Sequence, residues 1–85
     1  MKIRRTEHFK KDYQKLPEDV QERVDRKLRL LLHDPRHPSL RVHKVRGVEG
    51  LWEFSVTMNY RLLFEIEGEH YVLLRVGPHR IVDRI

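Results

Sequence analysis

The spacing of apolar residues changes partway along this chain, and that change constrains the fold more than any other feature. Up to His33, apolar residues recur every three or four positions, which is the repeat of a helix with one buried side. From Trp52 to Val76 they recur at every second position, the repeat of a strand with one buried face. A chain of 85 residues is the length of one domain. We therefore predict a single two-layer α+β domain over residues 1–85, with helices packed on one face of a sheet.

The first half of the chain predicts one strand and two helices. Residues 2–5 form the strand, and residues 7–16 form a helix that the Thr6 side chain caps. Pro17 begins the second helix, since proline fits the first helical turn, and that helix ends near His33. Its apolar stripe comprises Leu16, Val20, Val24, Leu28 and Leu32. The two helices are joined by almost no loop, so we expect them to form a hairpin.

The second half predicts three strands of a twisted, mainly antiparallel sheet, which completes a β-α-α-β-β-β order. Apolar residues alternate with other residues in three runs, at 52–56, 62–66 and 72–76. The alternation assigns Trp52 to the core, with stacking on a nucleic-acid base as the alternative. It assigns Tyr71 to the opposite face of the sheet.

A three-residue turn around Gly68 gives the best match of apolar faces between the last two strands. In that register Arg61 faces Arg75 on the side of the sheet away from the helices. Two arginines facing each other are unfavourable unless an anion lies between them, and guanidinium groups suit phosphate. The alternative is that both arginines are solvated and splayed apart, or that they pair with Glu53 or Glu65.

The composition is that of a basic chain without cysteine. The net charge is +5 and 36% of the residues are charged, while 39% are hydrophobic, which is enough for a core. Without cysteine there are no disulfides or thiolate metal sites, and no apolar run is long enough to span a membrane. We expect a cytoplasmic protein with no cofactor, no metal and no membrane partner. The positive charge fits a polyanion partner, although a basic soluble domain without one has the same composition.

His79 is the histidine best placed for chemistry, because it follows the last strand among basic neighbours that include Arg84. Cleavage of RNA without a metal needs a base for the 2′-hydroxyl proton, a cation for the charge on phosphorus and an acid for the leaving oxygen. His79 suits the base or the acid, and Arg61 and Arg75 suit the phosphate. Further RNA contacts are assigned to the other basic residues nearby: His43, Lys44, Arg46 and Arg80. The alternative for His79 is an ordinary loop histidine.

Three segments resemble the RelE/ParE toxin superfamily: Leu-Trp-Glu-Phe-Ser-Val at 51–56, Asn-Tyr-Arg-Leu-Leu-Phe-Glu-Ile at 59–66 and Leu-Leu-Arg-Val-Gly-Pro-His-Arg at 73–80. The resemblance covers essentially the whole chain and implies a RelE-like fold. It also implies a toxin of a bacterial or archaeal type II toxin–antitoxin pair, neutralised by a cognate antitoxin protein. Most RelE-like members cut mRNA in the ribosomal A site.

The resemblance also implies roles for single residues. Arg61 falls where RelE-type toxins bind phosphate, and His79 falls where the YafQ branch has a catalytic histidine. His43 resembles a functional histidine of YafQ, and Glu53 is similar to the glutamate base of the YoeB branch. However, Glu53 and Ser55 stand where RelE has two functional lysines. The catalytic set implied for this chain is therefore either different or weakened.

Three functions remain open at this point. The first is a ribosome-dependent mRNA endoribonuclease that works by metal-independent attack of the 2′-hydroxyl on the phosphodiester. The second is a non-nuclease toxin of the ParE kind that inhibits DNA gyrase. The third is a weakened relative that acts through antitoxin binding and operon autoregulation. The first requires folding to gather the cations and an imidazole around one pocket, and arginines held by carboxylates would argue against it.

Overall fold

The computed structural model describes the backbone of residues 1–84 and the side chains of residues 1–81, so the Arg84 side chain lies outside it. Two helices pack on one face of a five-stranded sheet with the order β1-β5-β4-β3-β2, which confirms the predicted fold class, although the short strand β2 is absent from the predicted order. The first strand is parallel to the last, and the other pairs are antiparallel. The elements are β1 (Lys2–Arg5), α1 (Glu7–Gln14), α2 (Glu18–His33), β2 (His43–Lys44), β3 (Trp52–Ser55), β4 (Tyr60–Glu67) and β5 (His70–Pro78), with 3₁₀ helices at Pro38–Leu40 and His79–Arg84.

The first helix begins where the sequence predicts, and the second begins one residue later than predicted. The Thr6 hydroxyl accepts a hydrogen bond from the backbone N–H of Phe9, which caps α1, and Pro17 precedes α2. The predicted stripe of α2 is wrong at its last position, because Leu31 is buried and Leu32 is 40% exposed. A helix turns about 100° per residue, so position 32 is rotated about 120° from Val20, whereas position 31 is rotated only about 20°. Within the described residues, no helix is both long and apolar enough to cross a membrane.

The main core lies between the helices and the sheet. Phe9 and Val24 from the helices pack in one cluster with Phe54, Leu62 and Phe64 from the middle strands. The Trp52 ring packs against the edge of this cluster and stacks on Phe64, with their centroids 6.5 Å apart. The core position predicted for Trp52 is therefore correct.

The hairpin of β4 and β5 differs from the predicted register. Glu67 pairs with His70 across a two-residue turn, in which Gly68 has a φ of 59°. A positive φ at this position is typical of tight hairpin turns, and glycine adopts it without steric cost. The three-residue turn predicted from the apolar pattern is wrong.

A β-bulge at Leu74 offsets the short turn. Leu73 pairs with Phe64 and Arg75 pairs with Leu63, so Leu74 has no partner on β4. An extra residue reverses the alternation of side chains beyond it. As a result Tyr71 is buried in the main core, contrary to prediction, while Val76 lies in that core as predicted.

The face of the sheet away from the helices carries a smaller apolar cluster. Leu63 packs there with Leu51 and Ile81, and Val45 and Leu74 lie against them. The loop between β2 and β3 and the final 3₁₀ helix thus cover part of this face. Glu53 and Arg61 lie on the remaining part of this face, next to each other.

Candidate functional site

Three of the predicted site residues meet on the face away from the helices. His43 pairs with Glu53 across β2 and β3, and Arg61 follows on β4. Glu53 Oε1 lies 3.6 Å from His43 Nε2 and 3.4 Å from Arg61 Nε. The side chain of Glu53 is 13% exposed and that of Arg61 is 15% exposed, whereas His43 is 55% exposed. We call this group the His43–Glu53–Arg61 cluster.

The contacts of the His43 ring assign its tautomer. Its Nδ1 lies 2.7 Å from the carbonyl oxygen of Arg41, and a carbonyl oxygen can only accept a hydrogen bond. Nδ1 must therefore carry the proton, which leaves Nε2 as the nitrogen that gains or loses one. In its neutral form His43 presents a basic nitrogen beside Glu53, and in its protonated form it pairs with that carboxylate.

Arg61 has a structural role and some unused capacity. Its Nη1 donates to the carbonyl oxygens of Thr57 at 2.8 Å, Met58 at 3.1 Å and Tyr60 at 3.2 Å. These bonds hold the turn between β3 and β4. Its Nη2 has no hydrogen-bond partner among the residues that the structure describes. Arg61 can therefore hold the turn and still donate hydrogen bonds to a ligand.

Arg75 lies elsewhere, and its predicted position opposite Arg61 is wrong. Arg61 is paired with Gly77, and the Arg75 side chain reaches Asp12 of α1. Its Nε donates to Asp12 Oδ2 at 2.7 Å and its Nη2 donates to Oδ1 at 3.2 Å. The hydrogen bond from Arg75 to Asp12 raises the pKa of Arg75, against the opposing effect of burial. This pair attaches α1 to β5, and the carboxylate occupies the Nε and Nη2 donors of the guanidinium.

His79 lies at the same end of the sheet as Arg61. Its backbone N–H donates to the carbonyl oxygen of Asn59 at 2.8 Å, next to the Met58 carbonyl that Arg61 binds. The side chains of His79 and Arg80 are both exposed. The turn between β3 and β4 therefore links His79 to the cluster through the backbone.

The other two predicted RNA-contacting residues do not join the cluster. The Lys44 ammonium lies 5.5 Å from the centre of the Trp52 ring, a cation–π contact. Successive residues of a strand point to opposite faces, so Lys44 lies on the other side of β2 from His43. Arg46 is exposed in the loop after β2.

A group of cations that the sequence analysis missed lies beside the cluster. Arg23 and Lys27 of α2 and Arg41 line a cavity of about 250 Å³ that also reaches Arg61. These four residues come from three separate parts of the chain. Arg23 and Lys27 are four residues apart, which places them on one side of the helix. This spacing is the only sequence signal that could have predicted that two of the four cations lie together.

The chemistry available at the cluster is acid–base and electrostatic. It combines an imidazole, a carboxylate with no hydrogen-bond donor among the described residues, and a guanidinium with a free Nη2. Among the described side chains, no three histidine, aspartate or glutamate residues approach closely enough to hold a metal ion. Such a group can move a proton and hold an anion.

Solved structures of known proteins share this fold. A YoeB/ParE toxin from Agrobacterium tumefaciens superposes with a TM-score of 0.77 at 18% identity, over 93% of this chain and 99% of that one. YafQ from Escherichia coli gives a TM-score of 0.78 at 15% identity, over 94% of each chain. A RelB–RelE antitoxin–toxin complex from Methanococcus jannaschii gives 0.77 at 17% identity, over 95% of each chain. At these identities the likeness is one of fold.

The sequence itself identifies the family. Comparison with curated protein sequences gives no match. The family model for the ParE toxin of the type II toxin–antitoxin system parDE, however, matches residues 3–82, nearly the whole length. The chain therefore belongs to the ParE toxin family of type II toxin–antitoxin systems, within the RelE/ParE superfamily.

Proposed function

We propose that this toxin is an endoribonuclease that cuts mRNA on the ribosome, with the His43–Glu53–Arg61 cluster at its centre. One observation carries the proposal: a single carboxylate oxygen lies between an exposed imidazole and a guanidinium, at 3.6 and 3.4 Å. Asp12 accepts three hydrogen bonds, whereas Glu53 accepts none among the described residues. Glu53 therefore keeps the acceptor capacity that a base requires.

The reaction we propose is attack by the RNA on its own backbone. A base, Glu53 or His43, removes the proton of the 2′-hydroxyl, and the oxygen forms a bond to phosphorus. Arg61 Nη2 donates to the phosphate oxygens and stabilises their added charge. The bond from phosphorus to the 5′-oxygen then breaks, and His79 or His43 protonates that oxygen. The products are a 2′,3′-cyclic phosphate and a 5′-hydroxyl end.

We propose two partners, a cognate antitoxin and ribosome-bound mRNA, both in the cytoplasm. RelE of Methanococcus jannaschii has been solved as a complex with RelB, and YafQ of Escherichia coli as a complex with DinJ. The resemblance to RelE supports ribosome-bound mRNA as the substrate. Arg75 is held by Asp12, so the toxin supplies fewer free cations than the sequence predicts, and contacts from the ribosome would compensate.

The test is expression of the toxin without its antitoxin, followed by primer extension on a translated mRNA. We expect new 5′ ends within the translated region and arrested protein synthesis. His79→Ala and Arg61→Ala should each reduce the cuts, provided that both variants fold by circular dichroism. Full cutting by both variants would refute the proposed site.

A non-nuclease toxin that inhibits DNA gyrase is the second candidate. It is favoured by the capture of Arg75 by Asp12 and by the structural bonds of Arg61, which together reduce the cations available for catalysis. Inhibition of supercoiling by purified gyrase, with translation unaffected, would support this candidate. The third candidate, a weakened relative that mainly binds its antitoxin and regulates an operon, predicts neither effect and no arrest of growth.

A further inference from the structure

A basic cavity lies beside the His43–Glu53–Arg61 cluster, where α2 meets the turn between β3 and β4. Its volume is about 250 Å³. Four cationic side chains line it, and the remaining lining residues are hydroxyl-bearing or apolar: Arg23, Lys27, Arg41, Arg61, Ser39, Ser55, Thr57, Val56 and Met58. The described lining contains no carboxylate, so the cavity concentrates positive charge.

Three of these cations lack an ionic partner in the part of the chain that the structure describes, and the Lys27 ammonium donates to the carbonyl oxygen of Ser39 at 2.9 Å. Among the described side chains, Arg23, Lys27 and Arg41 form no salt bridge, although 13 acidic residues occur in the chain. Burial and, as the smaller cause, the nearby charge of Arg23 lower the pKa of Lys27. Like charges four residues apart destabilise a helix unless an anion compensates them. The arrangement therefore costs stability in the free protein.

The backbone at Arg41 ends the 3₁₀ helix Pro38–Leu40 in a left-handed conformation and connects the cavity to the cluster. Arg41 has a φ of 53°, the only positive value among the described residues other than glycine. A left-handed conformation costs a residue with a side chain about 1–2 kcal/mol, and such residues concentrate at functional sites. In this conformation the Arg41 side chain lines the cavity while its carbonyl oxygen binds His43 Nδ1. One residue thus connects the cavity to the cluster.

We propose that the basic cavity binds a backbone phosphate of single-stranded RNA, next to the linkage held at the His43–Glu53–Arg61 cluster. Naming RNA as the ligand rests on the proposed function. Arg61 belongs to both the cavity and the cluster, so one guanidinium lies between two adjacent anion positions. Guanidinium groups with hydroxyl donors beside them match the oxygens of a phosphate.

The size and rim of the cavity favour a phosphate on a chain over a larger ligand. Pockets for drug-sized molecules or cofactors usually enclose about 300–1,000 Å³, which exceeds this cavity. Met58 lies at its rim with 86% of its surface exposed, an apolar contact for the base attached to the same nucleotide. The cavity thus orients the strand and sets which linkage reaches His43.

The test measures binding of a fluorescent single-stranded 2′-O-methyl RNA, which cannot be cut because it lacks the 2′-hydroxyl. Affinity is measured against salt concentration for the wild type and for the double variant Lys27→Gln/Arg41→Gln. The double variant Lys11→Gln/Arg29→Gln removes the same charge from positions outside the cavity and serves as the matched control.

The proposal predicts that the cavity variant binds about tenfold to hundredfold more weakly, the loss expected for charged hydrogen bonds. Its plot of log affinity against log salt should become shallower by about 0.7 for each phosphate that the variant no longer neutralises. The control should stay within about twofold, with its slope unchanged. Equal losses in the two variants would overturn the proposal and indicate only a diffuse positive field.

Two competitors identify the ligand. A polyglutamate peptide that displaces the RNA at matched charge would overturn the proposal in favour of an acidic protein segment. Displacement by inorganic phosphate at the same phosphate concentration would reduce the cavity to a site for free anions and would also overturn it. Displacement by single-stranded DNA alone supports recognition of a phosphate on a chain.

These outcomes are separable from the proposed nuclease function. If the wild type cuts no mRNA but its RNA binding depends on Lys27 and Arg41, the nuclease fails and the phosphate site stands. If the wild type cuts mRNA and the cavity variant binds like the control, the phosphate site fails and the nuclease stands.

Discussion

Two arginines of the sheet each approach a carboxylate, but the two pairs differ in what they leave free. Arg75 and Asp12 form two hydrogen bonds of 2.7 and 3.2 Å, and Asp12 also accepts the backbone N–H of Val76. Arg61 and Glu53 approach only to 3.4 Å, and Glu53 lies 3.6 Å from a histidine as well. The carboxylate of the first pair accepts three hydrogen bonds, whereas the carboxylate of the second accepts none among the described residues and keeps its acceptors free.

The comparison separates charges that hold the fold together from charges arranged for a ligand. The pair on β5 connects α1 to the sheet, where β1 has ended and the edge of β5 needs a partner. The pair on β4 lies beside an exposed imidazole and a cavity whose three other cations form no salt bridge among the described residues. Geometry of this kind distinguishes the two arginines, whereas their charge alone does not.

The largest effect on cleavage should come from His43, which lies beside the Arg61–Glu53 pair. We expect His43→Ala to lower the rate of RNA cleavage by about 10²–10⁴, the usual contribution of a general acid or base. The unfolding free energy should change by less than about 0.5 kcal/mol, because the side chain is 55% exposed. Single-turnover cleavage with ribosomes measures the rate, and His33→Ala, an exposed histidine at the end of α2, is the control. Unchanged cleavage by His43→Ala would remove the His43 imidazole from the mechanism.

The Arg75–Asp12 pair should contribute more to the free energy of unfolding than the Arg61–Glu53 pair. We expect Asp12→Asn to lower the free energy of unfolding by about 2–3 kcal/mol, because it leaves the largely buried Arg75 without its carboxylate. Glu53→Gln should cost less than about 1 kcal/mol, because the Glu53 contacts are longer and form no hydrogen bond. Urea unfolding of both variants measures the difference. Equal losses would show that the two pairs are energetically alike.

The substitution Arg41→Gly should weaken RNA binding and leave the free energy of unfolding unchanged or slightly higher. Arg41→Gly removes the cost of the left-handed conformation, offset by the greater entropy of glycine in the unfolded chain, so we expect a change between zero and about 1 kcal/mol of stabilisation. RNA binding should weaken because a cavity cation is lost. Unfolding curves and binding titrations on one preparation measure both. A clear loss of stability would show that the arginine has a structural role instead.

The smallest expected effect is the pH dependence contributed by Lys27. Burial and the charge of Arg23 lower its pKa below the ordinary value of 10.5, so charged Lys27 disfavours the folded state at neutral pH. Between the two pKa values the unfolded chain binds more protons, and the stability of the wild type should rise with pH relative to Lys27→Gln. We expect about 0.2–0.5 kcal/mol, from unfolding curves between pH 8 and about 11. A fall in this stability difference over that range would contradict the repulsion between Lys27 and Arg23 in the basic cavity.

The sequence predicts those parts of the structure that depend on local periodicity. The two helices and the long strands follow from apolar spacing, and Pro17 and Thr6 mark helix starts. The register of the last hairpin was wrongly predicted because two irregularities offset each other, a short turn at Gly68 and a bulge at Leu74. The two-residue turn shifts the apolar pattern by one position, and the bulge shifts it back. Apolar spacing alone therefore cannot reveal either irregularity.

The site was predictable only where neighbouring strands determine it. Glu53 and Arg61 lie on predicted neighbouring strands and meet as the alternation of those strands requires, whereas His43 lies on β2, a two-residue strand that the apolar spacing did not predict. Arg75 binds a partner 63 positions away in α1, a contact that no local pattern indicates. The lining of the basic cavity comes from α2, from the segment that precedes β2, and from β4. These parts meet only when the chain folds, so no local pattern predicts the cavity.

The central claim is that the His43–Glu53–Arg61 cluster promotes attack of the 2′-hydroxyl on the RNA backbone. The chemical ends of the fragments test this claim most directly. Purified toxin, ribosomes and a defined mRNA are incubated, and the fragments are treated with polynucleotide kinase and radioactive ATP without prior phosphatase. We predict labelled downstream fragments, because the reaction leaves 5′-hydroxyl ends, and we predict their loss with His43→Ala. Intact mRNA, or fragments that accept label only after phosphatase treatment, would contradict the account.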